Sequence, residues 1–93
     1  MAYECILLKT AQKFLDEHVA PDERKHIVEV LEQIRSDPLV DGITKYYFLA
    51  APAVFTLYKE ADWWIIYYIP RENVLHIINI GRVTEPVNIR RAS

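Results

Sequence analysis

The chain has 93 residues, of which 52% are apolar and 26% charged, and a net charge of −2. That length supports one hydrophobic core, and residues 1–93 are read as a single domain; a lone Cys5 excludes a disulfide framework or a cysteine-based zinc cage. The near-neutral balance lacks the basic footprint of a dedicated nucleic-acid binder, and runs such as Trp63 to Pro70 fall far short of the roughly 20 residues needed to cross a bilayer.

Tyr3 to Leu8 reads as a short strand, with Thr10 as the expected N-cap of a first helix in which Ala11, Phe14, Leu15 and His18 recur at spacings of three and four. A second helix is predicted over 21–36. Pro21 suits its first position, Asp22 and Glu23 sit at the positive dipole end, and Arg35 lies in the last turn. Ile27, Val30, Leu31 and Ile34 form its apolar stripe, and Asp37 and Pro38 stop it. The acidic residues on its other face need only solvent.

Asp41 and Gly42 mark a turn, after which Tyr, Phe, Trp, Ile and Val dominate. Four strands are expected, at Tyr46 to Leu49, Val54 to Lys59, Trp63 to Ile69 and Val74 to Ile80, with Pro52 as an interruption. Short connections at Glu60 to Asp62 and Pro70 to Asn73 make the neighbours antiparallel. The predicted fold class is therefore α+β: a short N-terminal strand and two helices packed on one face of a mostly antiparallel four-stranded sheet. Residues 84–93 have no helical period and are expected to form an extended or disordered tail.

Strand alternation places Trp63, Ile65 and Tyr67 on one face and Trp64, Ile66 and Tyr68 on the other. Two short helices can cover only one of them. The second face must meet another chain, a ligand or the C-terminal segment.

This order of elements, with Tyr58-Lys59-Glu60-Ala61-Asp62-Trp63-Trp64-Ile65-Ile66-Tyr67-Tyr68-Ile69 and Leu75-His76-Ile77-Ile78-Asn79-Ile80-Gly81-Arg82, resembles the RelE/ParE superfamily of bacterial toxins over residues 3–83. The resemblance implies a small toxin neutralised by an antitoxin laid over its surface. Some relatives cut messenger RNA on the ribosome, and others poison DNA gyrase.

The ribonuclease branch gathers lysines or a carboxylate on the first hairpin strand, an arginine on the next, and an arginine with a histidine or tyrosine after the last. Phe55, Leu57 and Trp64 stand at the first positions here, and only Arg82 matches clearly, with Lys59 as a marginal addition. RNA cleavage through the 2′-hydroxyl needs a base, an acid and fixed positive charge. Tyr68 and His76 are the remaining candidates for proton transfer.

By the same resemblance, Trp64, Ile66 and Tyr68, with Phe55 and Leu57, form the expected protein-binding face, for an antitoxin or a second copy of the chain. Lys45, Arg90 and Arg91 are the expected nucleic-acid contacts. A divergent ribonuclease around Arg82 and a non-toxic binding scaffold are the alternatives. His18, His26 and His76 lie on separate elements and the two glycines are isolated, so neither metal nor cofactor is expected. Glu4 stands where a secretory leader carries lysines, and a reducing, cytoplasmic setting with no membrane association is expected.

Overall fold

In the computed structural model, which describes residues 2–89, a helix does form over the predicted span, α2 (Pro21–Ser36). Pro21 opens it, and the Glu23 carboxylate accepts a hydrogen bond from the Ala20 N–H at 3.1 Å. Its predecessor α1 (Lys9–Glu17) starts one residue before the expected cap, with Leu8 in the capping position and Thr10 inside the first turn. Leu8 sets this start because its N–H donates to the Ile77 carbonyl while its side chain packs under the sheet.

The strands are β1 (Glu4–Leu7), β2 (Lys45–Ala50), β3 (Ala53–Lys59), β4 (Trp63–Arg71) and β5 (Val74–Arg82). Their order in the sheet is β1-β5-β4-β3-β2, with β1 parallel to β5 and the others antiparallel. The sheet thus has five strands, because the N-terminal strand joins it. The last hairpin turn is shorter than expected: β4 runs through Pro70, tolerated at a register irregularity between Tyr68 and Arg71, and Asn73 takes the positive φ of 62°.

Both helices pack on one side of β1, β5 and β4. Ala11, Leu15, Ile27, Val30, Leu31 and Ile34 meet Trp63, Ile65, Tyr67, Leu75, Ile77 and Ile80. Each fully buried side chain of this size contributes about 1.5–3 kcal/mol by area. Tyr67 is completely enclosed, and its hydroxyl donates to the Pro38 carbonyl at 2.6 Å, so its polar tip is satisfied. Burial pushes its pKa well up, with the carboxylates of Asp37 and Asp41 adding to the effect. No helix among the described residues is long and apolar enough to cross a membrane.

Candidate functional site

Trp64, Ile66 and Tyr68 do share the face turned away from the helices, as alternation requires, but that face is not open along its length. Trp64 is 2% exposed and Ile66 0%. Leu8, Phe48, Phe55, Leu57 and Val87 pack around them with Ile78, and residues 83–89 cross the end of the sheet as an irregular strap. The Trp64 indole N–H donates to the carbonyls of Arg82 at 2.9 Å and Glu85 at 3.1 Å. Asn79 Nδ2 holds the strap further along, donating to Asn88 Oδ1 at 3.0 Å. The expectation that Trp64 and Ile66 are exposed anchors is therefore corrected: the C-terminal segment seals them. Phe55, Leu57 and Tyr68 remain half-buried.

At the far end of this face the structure joins two sequence candidates. The Tyr68 hydroxyl and His76 Nδ1 lie 3.0 Å apart, and their rings meet edge to face at 5.2 Å. Phe55 packs edge-on against Tyr68 at 5.9 Å. The pairing follows from the ladder, in which Tyr68 stands opposite His76. A phenol and an imidazole in contact can pass a proton between them and present a half-open polar spot within an apolar surface.

The cationic candidates do not converge on that pair. Lys59 is exposed and stands opposite Trp64 in the β3–β4 ladder, four residues from Tyr68 along β4 and so roughly 13 Å away. Arg82 stands opposite Trp63, on the helix side of the sheet. Its guanidinium lies 4.8 Å from the Trp63 ring centroid and donates to Glu23 Oε2 at 3.0 Å, to Glu23 Oε1 at 3.3 Å and to the His18 carbonyl at 3.0 Å. The one arginine that matches the ribonuclease pattern is thereby committed to holding α1 and α2 to the end of β5.

Lys45 is likewise engaged, with its side chain only 11% exposed. Its Nζ donates to the Asp37 carbonyl at 2.7 Å and lies 3.7 Å from Asp41 Oδ2. Arg90 and Arg91 lie outside the described residues.

The Arg82 hydrogen bonds hold the Glu23 carboxyl below its usual range, with the Ala20 N–H contributing. A depressed folded-state pKa means stability that is present above the ordinary glutamate value of about 4.5 and lost as pH falls through the lowered one. The stability difference between wild type and Glu23→Gln, followed by thermal melts across an acid series, is therefore expected near neutral pH and should vanish on acidification. A gap that persists in strong acid would contradict this role for the ion pair.

A groove of about 420 Å³ lies between β1 and the two helices, away from all of these candidates. Arg35 lines it but donates to the Tyr3 carbonyl and Glu32, and the Cys5 thiol there has its pKa raised by burial. The sequence left the cover of the face away from the helices open among another chain, a ligand and the C-terminal segment, because the strap is held through its own backbone carbonyls, which leave no trace in side-chain patterning.

No protein-family model matches the chain, and no curated protein does. Solved structures do. The toxin–antitoxin complex RelBE2 from Mycobacterium tuberculosis contains a chain with 17% identity and a TM-score of 0.74, matched over 88% of this chain and 99% of that one. A conserved hypothetical protein, HP0894 from Helicobacter pylori, matches with 18% identity and a TM-score of 0.61 over 89% and 97% of the two chains. The toxin RelE of Escherichia coli, as an arginine-substituted mutant in the free state, matches with 16% identity and a TM-score of 0.58 over 87% and 83%. The chain is similar to these in fold, and that fold is the RelE-like one.

Proposed function

We propose that the protein is the toxin-like member of a toxin–antitoxin pair that acts without the phosphate-cleaving site of the ribonuclease branch. The observation that carries this reading is the fate of Arg82 within a RelE-like fold: it faces the helices and is bound by Glu23, while Phe55, Leu57 and Trp64 fill the other positions where charge would be needed. A phosphorane intermediate requires fixed positive charge beside the acid and base. Apolar side chains supply none.

Neutralisation by an antitoxin is supported by the RelBE2 structure, which is a toxin–antitoxin complex. In this reading the antitoxin covers the half-open face at Phe55, Leu57 and Tyr68, whose aromatic and aliphatic surface suits a protein partner. Expression of the chain alone is expected to arrest growth, and co-expression with the adjacent reading frame to relieve the arrest. Transcripts should stay intact, and DNA breaks would identify a gyrase-type target. Full growth with the chain expressed alone and folded would remove the toxin reading in favour of a scaffold.

One contact favours a second reading as an endoribonuclease, namely the Tyr68–His76 pair as general acid and base. Cut transcripts during arrest, abolished by His76→Ala in a protein that still folds, would establish it over the first.

A further inference from the structure

We infer that two copies of this chain pair through β2, antiparallel and about a two-fold axis at Phe48. This rests on the free edge of the sheet and not on the toxin reading. β2 is the outermost strand. The Lys59 N–H donates to the Thr44 carbonyl, so the alternation of an antiparallel ladder turns the backbone groups of Tyr46, Phe48 and Ala50 towards β3 and those of Lys45, Tyr47 and Leu49 outwards.

The outward groups of Lys45 are already used. Its carbonyl accepts from the N–H groups of Asp41 and Gly42, and its own N–H donates to Asp41 Oδ1 at 3.0 Å. Among the described residues nothing pairs with the outward N–H and C=O groups of Tyr47 and Leu49. These two residues flank Phe48 symmetrically, so a second copy running antiparallel sets Tyr47 opposite Leu49 of its partner, and the reverse. Four backbone hydrogen bonds close the pair, and the Asp41 turn ends the ladder on each side.

The side chains at this edge fit the same occupant. Tyr47 is 70% exposed, Leu49 75% and Val54 55%, and these three share the helix-side face beyond the reach of the helices. Residues 46–50 carry no charge and no proline, the usual devices by which a free edge is protected from pairing. Pairing joins the two patches into one, uncharged on both sides, so like charges do not oppose it. With Ile43 and Tyr46, each copy removes on the order of 500 Å², near the lower bound for a specific interface, and the dimer is correspondingly weak. A two-fold pairing consumes the edge and stops at two chains.

Sedimentation velocity from roughly 1 μM to 1 mM tests this. The wild type is expected to shift reversibly from monomer to dimer and no further. Leu49→Pro, which removes only an outward N–H of an edge strand, should stay monomeric with an unchanged circular dichroism spectrum. Phe48→Cys in a Cys5→Ser background should cross-link to a dimer under mild oxidation, because the residues at the axis form a close, non-hydrogen-bonded pair. A wild type that remains monomeric throughout, one that grows beyond a dimer, or a dimer unaffected by Leu49→Pro would overturn the inference.

Discussion

Trp64→Ala is expected to cost about 3–5 kcal/mol, a large share of the 5–15 kcal/mol that holds a typical domain together, and to leave the chain largely unfolded at physiological temperature. The indole is 2% exposed and forms a second core with Ile66 and Ile78 on the face away from the helices. Its removal opens a cavity beneath the strap. It also strips a donor from the Arg82 and Glu85 carbonyls, which adds about 1 kcal/mol and loosens residues 83–89. Tyr68→Ala provides the contrast, because its ring is half-buried and, among the described residues, its hydroxyl meets only His76. Urea denaturation should show a small shift for Tyr68→Ala and a loss of most of the transition for Trp64→Ala. Equal, small shifts would mean that the strap does not seal this face.

The contrast also marks how far the sequence could be read. The span of α2 was legible because Pro21, the acidic first turn, the four-residue stripe and Pro38 all act locally. So was the division of β4 into two faces, since the period of two survives burial on both sides. Which of the three possible covers closes the second face was not legible. It depends on a backbone that returns across the sheet more than twenty residues after Trp64, held by carbonyls and by Val87 within an aperiodic segment.

Local irregularities set the candidate site in the same way. The ladder closes at Arg71 and Val74, which unbroken would place Tyr68 opposite Ile77, and the irregularity between Tyr68 and Arg71 moves it to His76 instead. The direction of Arg82 follows from its position opposite Trp63, and a register error of one residue would have turned it to the other face. Lys45 and Arg82 were both visible as cations in the sequence. Glu23 lies 59 residues from Arg82 and only the fold brings it within reach, whereas Asp37 and Asp41 precede Lys45 in the same exit loop.

The glycine before Arg82 has a physical reason of its own, and it yields the second large expected effect. Gly81 stands opposite Trp64, and the six-membered ring of the indole lies against its backbone: a Cβ added there would sit 2.2 Å from Cζ2 and 2.4 Å from Cε2. Neither partner can yield cheaply. The ring is fixed by its two hydrogen bonds and enclosed by the second core, and Gly81 is held in the β4–β5 ladder. Gly81→Ala is thus expected to cost about 3 kcal/mol, the upper part of the usual range for overpacking, by driving Trp64 out of its seat. The clash predicts its own remedy. In a Trp64→Leu background the flat ring is gone, so adding Gly81→Ala should cost far less than it does in the wild type, a coupling of about 1–3 kcal/mol in a double-mutant cycle followed by denaturant unfolding. Strictly additive costs would show that Gly81 is required for its backbone alone and not for the space it leaves to Trp64.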